Sequence, residues 1–310
     1  MAKPQKTLIT IVGPTAIGKT ALAIEIAQYY QTEIISADSR QFFKEMSIGT
    51  AKPNPEELLA VKHHFVDSHS IHDSFSVGDF EKQALTKIES FFKTHDVLVM
   101  VGGSGLYINA VLYGFDELPK ADEVLRTQLN QQLENEGIIP LQKKLQELDP
   151  TYYEEVDLHN PQRIIRALEV CISSGKSFSS FRKTEAKERP FQTILIGLDM
   201  DRAKLYERIN QRVDQMLEDG LLEEVKALVN FQQLNALKTV GYSEIFNYLN
   251  GIWTLEEAVN KIKQNTRNFA KRQLTWFRKN DGIVWFEPSK KTKITALIQL
   301  QLDSLFQRKN

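Results

Sequence analysis

The segment GPTAIGKT, residues 13 to 20, has the residue types and the spacing of a phosphate-binding loop. Its glycines let the backbone turn so that successive N–H groups face an anion, while Lys19 adds a positive charge and Thr20 can hold Mg²⁺. An apolar run precedes the loop and a helical pattern follows it, which is the context that such a loop requires. The residues expected to grip a diphosphate are Gly13, Pro14, Thr15, Ala16, Ile17, Gly18, Lys19 and Thr20.

A second glycine-rich turn, GGSGLY, stands where a nucleotide-hydrolysing enzyme would place an acid. Such enzymes usually end a second apolar strand in a carboxylate that holds magnesium. Here the apolar run VLVMV ends in this turn, with no carboxylate. The turn lets the backbone and the Ser104 hydroxyl approach a ligand closely, although a tight connection without function is the alternative. The pattern therefore favours transfer of something other than, or in addition to, a γ-phosphoryl group.

Asp38 follows the apolar stretch in EIISADSRQ and is predicted to lie at the carboxyl end of a strand. Open parallel sheets bind their ligands at that edge, so Asp38 should lie within reach of the phosphate loop. Its carboxylate could hold Mg²⁺ or accept a proton from an incoming nucleophile. A turn or helix-cap aspartate is the simpler alternative. Ser39, Arg40 and Gln41 follow it with polar groups that can hydrogen-bond a planar heterocycle.

The elements that must position these residues are those of an α/β protein. Strand-like runs alternate with helical patterns, which predicts a parallel sheet flanked by helices, as in P-loop nucleotide-binding proteins. The predicted strands are Leu8 to Val12, Glu33 to Ser36, Val97 to Val101 and Thr193 to Leu198. Residues 118–190 carry charged helical segments without a convincing buried strand. We therefore predict a catalytic core of residues 1–117 and 191–310, interrupted by a helical insertion at 118–190.

The composition excludes several classes of protein. With 310 residues, of which 42% are hydrophobic, the chain can bury a large core. Its single cysteine, Cys171, excludes an internal disulfide and cysteine-based zinc sites, which favours a reducing cytoplasm. No cleavable leader and no apolar segment of about 20 residues is found, so no membrane role is expected. We expect a cytoplasmic monomer, since no exposed coiled-coil seam is evident.

The formal net charge of −1 means that a polyanionic partner would have to be bound by local basic patches. In NPQRIIRALEV, Asn160 and Pro161 predict a helix start, and Arg163 and Arg166 share a face apart from the apolar residues. We expect that face to meet a polar or anionic partner, with a solvated face as the alternative.

Two later helical patterns also carry cations. Arg208 and Arg212 lie four residues apart beside an apolar stripe, where one of them could clamp a phosphate or pair with a neighbouring acid. The last long pattern, Thr254 to Asn280, opens with a capping box and carries no acid after Lys261. Its basic residues suit a phosphodiester backbone; they are Lys263, Arg267, Lys271, Arg272 and Arg278.

In combination, these motifs resemble those of the bacterial tRNA dimethylallyltransferases, also called tRNA isopentenyltransferases. The segments that carry the resemblance span almost the whole chain and are, in order, GPTAIGKT, SADSRQ, MSIGTAKP, VGGSGLY, NPQRIIRALEV, RINQRVDQMLEDGLLEEV, KTVGY and NFAKRQLTWFRK. The resemblance implies transfer of a dimethylallyl group from dimethylallyl diphosphate to N6 of adenosine 37 in tRNA, with Mg²⁺ as cofactor.

The resemblance also implies roles for single residues. Asp38 would take the proton from N6, and Lys19 and Arg212 would neutralise the departing diphosphate. Thr20 would ligate Mg²⁺, and Ser104 would lie at the reaction channel. The residues implied to contact tRNA are Asp38, Ser39, Arg40, Gln41, Ser104, Arg126, Gln162, Arg163, Ile164, Ile165, Arg166, Lys238, Gly241, Tyr242, Arg267, Lys271 and Arg272. Arg40, where the family more usually has a methionine-type residue, and Ile17, at a position that is often serine, depart from the family pattern.

Two other functions are compatible with the motifs. A small-molecule or nucleotide kinase could use the same loop and sheet for ATP, with Asp38 activating a hydroxyl, but it would have no need of the basic C-terminal helix. A non-catalytic RNA-binding protein with a nucleotide switch would retain its activity when Asp38 is replaced by alanine.

Overall fold

A computed structural model describes residues 6–116, 118–119, 122–182 and 187–307. The chain forms two compact units, one of Met1–Leu112 with Arg189–Asn310 and the other of Tyr113–Glu188. The strands are β1 (Thr7–Val12), β2 (Ile34–Ser36), β3 (His63–His64), β4 (Val97–Gly102), β5 (Gln192–Leu198) and β6 (Val284–Phe286). The helices are α1 (Lys19–Tyr29), α2 (Pro55–Ala60), α3 (Val77–Phe91), α4 (Gly105–Tyr113), α5 (Glu123–Glu136), α6 (Ile139–Leu148), α7 (Pro150–Glu155), α8 (Pro161–Ser174), α9 (Arg202–Glu218), α10 (Leu221–Ala227), α11 (Tyr242–Leu249), α12 (Leu255–Phe277) and α13 (Lys291–Gln307).

The larger unit contains one parallel sheet, with the strand order β3-β2-β4-β1-β5-β6. β4 lies between β2 and β1, so the three connections that leave these strands emerge side by side at one edge. The predicted phosphate loop, the Asp38 segment and the glycine-rich turn are these three connections. The sheet therefore brings together the three segments singled out from the sequence, and the predicted α/β class is confirmed.

The four strands predicted from the sequence are confirmed within one residue at each end. β3 and β6 were not among the predicted strands. Each is two or three residues long and lies at an edge of the sheet. An edge strand this short has too few residues to show a period, so its pairing depends on the neighbouring strand.

Helices cover both faces of the sheet and bury two apolar clusters. On one face α1, α9, α12 and α13 pack around Ile9, Ile11 and Ile196, and on the other α3 and α4 pack around Leu8, Leu98 and Met100. A third cluster joins α9 to α12 and includes Tyr242 and Ile245. Because β1 is completely buried, the loop that leaves it starts from a rigid base.

The smaller unit, Tyr113–Glu188, is built from helices α5 to α8 around Leu129, Leu141, Leu145 and Leu168. The predicted insertion limits of 118 and 190 stay a prediction, and the predicted core limits at 1, 117 and 310 lie outside the described residues. Among those residues, no helix is both long and apolar enough to cross a membrane.

Candidate active site

The phosphate loop joins β1 to α1 through backbone conformations with positive φ angles, which glycine adopts readily. Gly13 and Gly18 have φ angles of +149° and +101°, and Ala16 lies at +63°. A Cβ at Gly13 would also lie 2.7 Å from the Leu198 carbonyl oxygen. Ile17 is fully buried and anchors the middle of the loop in the core. The loop thus turns tightly over the sheet, and α1 begins at Lys19, where its N-terminal N–H groups favour an anion.

Lys19 and Arg212 place two cations beside Asp38. Burial lowers the pKa of Lys19 to about 8, while nearby Asp38 raises it and Arg212 lowers it further. Burial likewise lowers the pKa of Arg212, and Asp38 acts in the opposite direction. Each of the two cations thus interacts electrostatically with the Asp38 carboxylate. One carboxylate facing two cations leaves a net positive site, which suits a diphosphate.

Hydrogen bonds hold these cations in place. Lys19 Nζ donates to the Pro14 carbonyl oxygen at 2.7 Å, and Arg212 Nη2 donates to the Ala51 carbonyl oxygen at 3.4 Å. Arg208 is exposed, with Nη2 3.7 Å from the point that a Cβ on Gly18 would occupy. Both arginines of α9 thus have a nitrogen near a loop of the site, and a role of Arg212 in binding the diphosphate stays a prediction.

Hydrogen bonds orient Asp38 and connect the following residue, Ser39, to Ser104. The Asp38 Oδ1 atom accepts from the backbone N–H of Arg40 at 3.1 Å, which orients the carboxylate. The Ser104 hydroxyl accepts from the backbone N–H of Ser39 at 3.0 Å and donates to the Ser39 hydroxyl at 3.1 Å. Ser104 therefore holds the residue that follows Asp38, which is a positioning contact that its sequence did not reveal.

Arg40 and Gln41 have partners within the chain. Arg40 Nη1 donates to the carbonyl oxygens of Asn235 and Ala236, each at 3.1 Å. Gln41 accepts from the Ser36 hydroxyl and donates to the carbonyls of Thr50 and Ala51. Both side chains thus order the loops around Asp38.

Gln273 is a site residue that the sequence analysis missed. It lies on α12 with 6% of its surface exposed. Its Oε1 atom accepts from the Thr15 backbone N–H at 2.8 Å, and its Nε2 atom donates to the Gly103 carbonyl oxygen at 3.0 Å. The Thr15 N–H is therefore not available to a diphosphate, which must use donors from later in the loop. No local pattern distinguishes this glutamine from a surface residue.

Glu224 was also missed, and it fixes the segment MSIGTAKP. Its carboxylate accepts from the backbone N–H groups of Ser47, Ile48 and Gly49 at 2.8 to 3.0 Å, and from the Tyr242 hydroxyl at 2.6 Å. A Cβ at Gly49 would lie 2.5 Å from the Tyr242 ring, so that glycine is required for close packing. This segment includes Ala51, whose carbonyl receives Arg212.

The tRNA contact predicted for Tyr242 does not fit the placement of its side chain. Tyr242 is fully buried beneath the Gly49 segment, and burial together with Glu224 raises the pKa of its hydroxyl far above the ordinary value. Gly241 is also buried, at a φ of +97°, while the neighbouring Lys238 is exposed. Of these three residues, only Lys238 presents its side chain to solvent.

The predicted RNA contacts in the smaller unit divide in a similar way. Ile164 and Ile165 are buried in its core, whereas Gln162 and Arg163 are exposed. Arg166 is only partly exposed and has a partner within the unit, since its guanidinium binds the fully buried Glu169 at 2.9 Å and the Pro119 carbonyl at 3.0 Å, so its predicted contact with tRNA stays a prediction. Arg126 binds the same carboxylate at 2.9 Å. The Asn160 cap is confirmed, since its Oδ1 accepts from the Arg163 N–H.

The capping box of α12 is confirmed, with Thr254 and Glu257 exchanging hydrogen bonds. Its predicted basic stripe is shorter than expected. Lys263 pairs with Asp214 at 2.6 Å, and Arg278 pairs with Asp199 at 2.5 Å, both acids lying outside the helix. Arg267 and Lys271, by contrast, lie 5.9 and 6.0 Å from the centre of the Tyr206 ring, together with Arg202 at 5.2 Å. Arg272 is exposed above Phe269.

The site offers few side-chain oxygens that could bind a magnesium ion. Among the described residues, no group of three or more histidine, cysteine, aspartate or glutamate side chains is arranged to hold a metal. Mg²⁺ is commonly held by one or two protein oxygens together with water and substrate phosphates, so a complete protein cage is not required. The Thr20 hydroxyl, in the first turn of α1, and the Asp38 carboxylate are compatible with that kind of binding.

The family model and the curated relatives that match this chain agree on one family. The model of the family described as IPP transferase matches residues 41–280. A curated tRNA dimethylallyltransferase from Christiangramia forsetii is 57% identical over 92% of this chain and 95% of its own length, and one from Flavobacterium johnsoniae is 53% identical over 92% and 94%.

Solved structures agree with the sequence relatives. The crystal structure of a tRNA isopentenylpyrophosphate transferase from Bacillus halodurans is 37% identical, with a TM-score of 0.73, and the match covers 98% of this chain and 99% of that one. A eukaryotic dimethylallyltransferase described as acting on tRNA is 26% identical, with a TM-score of 0.70, over 88% of this chain and 70% of that one. This chain therefore belongs to the tRNA dimethylallyltransferase, or IPP transferase, family.

Proposed function

We propose that this protein transfers the dimethylallyl group of dimethylallyl diphosphate to N6 of adenosine 37 in tRNA. The observation that carries the proposal is that adjacent parallel strands bring the phosphate loop with Lys19 and the Asp38 segment to the edge where β4 ends in glycines instead of an acid. Arg212 adds a second cation there through its bond to the Ala51 carbonyl. Such a site holds a leaving diphosphate and one base. It lacks a carboxylate at the end of β4, where hydrolytic enzymes of this architecture usually bind magnesium.

The proposed reaction depends on stabilising the negative charge of the leaving diphosphate, not on activating water for hydrolysis. As the allylic C–O bond breaks, the electron pair leaves with the diphosphate, where Lys19, Arg212 and the N-terminus of α1 stabilise the negative charge. When bound, Mg²⁺ would supply further charge neutralisation, with Thr20 as its protein ligand. The adenine N6 atom forms the new bond to carbon, and its proton passes to the Asp38 carboxylate, which the Arg40 N–H holds in position.

Cations on α9 and α12 support an RNA partner. Arg202, Arg267 and Lys271 surround one tyrosine, and no ion pair between described residues neutralises any of the three. Three like charges within about 6 Å of one ring repel one another unless an anion lies nearby. Phosphodiester groups of tRNA would relieve that repulsion. The exposed side chains of Arg163, Lys238 and Arg272 are further candidates for phosphate contacts. We further propose that the enzyme acts in the cytoplasm, where its unmodified tRNA substrate would be found.

The test of the function is direct. The protein is incubated with Mg²⁺, dimethylallyl diphosphate and an unmodified tRNA that carries adenosines at positions 36 to 38, and the nucleosides are analysed by mass spectrometry. A five-carbon adduct on adenosine 37 is expected. Absence of the adduct would contradict the proposal, and consumption of ATP with phosphorylation of a metabolite would favour the kinase.

The variant Asp38→Asn tests the proposed base. The amide can still accept from the Arg40 N–H but cannot take a proton, so we expect the single-turnover rate to fall about 10²- to 10⁴-fold while tRNA still binds. Removal of the negative charge beside Lys19 and Arg212 should also tighten binding of magnesium pyrophosphate. A variant that loses tRNA affinity but reacts normally once bound would refute the role of base.

A further inference from the structure

Gln273 connects two loops of the site that lie far apart in the sequence. Its two hydrogen bonds reach the phosphate loop at Thr15 and the glycine turn at Gly103, and together they occupy both ends of the amide. The amide must therefore point its oxygen to the phosphate loop and its nitrogen to the turn. A carboxylate or a hydrocarbon side chain of similar size cannot make both contacts.

The glycine turn is shaped to receive α12. A Cβ at Gly103 would lie 2.3 Å from Gln273 Nε2, and a Cβ at Gly105 would lie 2.2 Å from Cδ1 and Nε1 of Trp276, one helical turn further on. A side chain at either glycine would displace the Gln273 amide or the Trp276 ring. The turn thus holds α12 closely at two successive positions on one helix face.

The contact continues to the proposed base. Ser104, next to Gly103, binds both the backbone N–H and the hydroxyl of Ser39, next to Asp38. A continuous series of hydrogen bonds and single peptide units therefore runs from Thr15 through Gln273 and Ser104 to Ser39. One end holds the diphosphate loop and the other holds the carboxylate.

We propose that Gln273 is a positioning residue that sets the separation between the diphosphate cradle and the Asp38 base. This inference rests on the proposed transfer reaction, which requires the carbon bound to the diphosphate and the attacking nitrogen to be aligned. Loss of alignment by about 1 Å can lower a rate by about 100-fold. Gln273 acts through Gly103 and Thr15 and does not touch the reacting atoms.

Two variants separate the two contacts. Gln273→Glu retains an acceptor for the Thr15 N–H but places a carboxylate oxygen against the Gly103 carbonyl oxygen. Gln273→Met removes both hydrogen bonds at similar volume. Gln264→Glu is the matched control, because it makes the same chemical change at an exposed position of the same helix.

The experiment measures magnesium pyrophosphate affinity without RNA by calorimetry, and the rate constant and amplitude of a single turnover at saturating tRNA and dimethylallyl diphosphate. For Gln273→Glu we expect a rate constant about 10- to 100-fold lower with full amplitude, and weaker pyrophosphate binding because the new carboxylate repels the anion. For Gln273→Met we expect the rate to fall and pyrophosphate affinity to weaken by about fivefold or more. The control should remain within about twofold in both measurements.

A purely structural role predicts a different result, namely a lower amplitude and melting temperature with an unchanged rate constant. That result, or a Gln273→Glu rate within twofold of wild type, would overturn the inference. If the wild-type protein itself transfers no dimethylallyl group, the proposed function fails by that observation. The inference is then decided by pyrophosphate binding, and unchanged affinity in Gln273→Met would overturn it.

Discussion

Lys19 carries a charge that the fold makes sensitive to pH. Burial lowers the pKa of Lys19 to about 8, so the side chain loses its charge as the pH rises from 7 to 9. The charged form is the one that binds a diphosphate. The neighbouring Asp38 limits this loss of charge, and a bound diphosphate would oppose it further.

The affinity for magnesium pyrophosphate should therefore weaken as the pH rises from 7 to 9. The Lys19→Ala protein should bind more weakly at pH 7 and lose less affinity over the same range, because the ionisation of the ligand is common to both proteins. Calorimetric titrations at several pH values measure this difference. Parallel pH profiles for the two proteins would show that Lys19 does not supply the charge.

At the scale of elements, two kinds of contact place the functional residues. Helix caps join residues a few positions apart, and ion pairs join residues that are distant in the chain. Local signals predicted the starts of α8 and α12, since Asn160 and Thr254 bond to N–H groups three residues ahead. The ion pairs of the same helices were not predictable in this way. Lys263 pairs with Asp214 and Arg278 pairs with Asp199, and both acids lie outside α12. Arg166 shares the buried Glu169 with Arg126 from α5.

Arg163 and Arg166, three residues apart on α8, should respond differently to replacement by alanine. Arg163 is exposed, so Arg163→Ala should weaken tRNA binding and reduce the slope of affinity against salt by about one, with little change in melting temperature. Arg166→Ala removes one of two cations from a buried carboxylate and should lower the free energy of unfolding by about 1–3 kcal/mol. Thermal melts and filter binding on both variants test this division, and a reversed pattern would contradict it.

At the scale of the whole molecule, the formal charges nearly balance and the exposed apolar side chains come from several elements. The formal net charge is −1, so RNA binding depends on local groups such as those around Tyr206. Large apolar side chains that remain exposed, among them Leu59, Ile139, Ile252 and Leu300, lie on separate elements or loops. A stable dimer would normally require a continuous apolar patch.

We accordingly expect a monomer. Sedimentation equilibrium at micromolar protein should give the mass of one chain, independent of concentration and of added pyrophosphate. A mass of two chains that persists on dilution would contradict this expectation.

The sequence by itself determined the phosphate loop, the strands that carry it, and the family. These features depend on neighbours within a few residues, since glycine backbone freedom, helix caps and apolar periods all act locally. The carboxyl-edge position of Asp38 also followed from the pattern, because parallel strands must end at a shared edge.

Only the tertiary structure identified Gln273 and Glu224, and it alone separated exposed Arg163 from paired Arg166. The partners of Gln273 lie 258 and 170 positions away in the chain, and Glu224 binds residues 175 to 177 positions away. A polar side chain has the same appearance in a sequence whether water or a distant backbone group satisfies it. Which of the two occurs is decided when the packed helices exclude water from one and leave the other exposed.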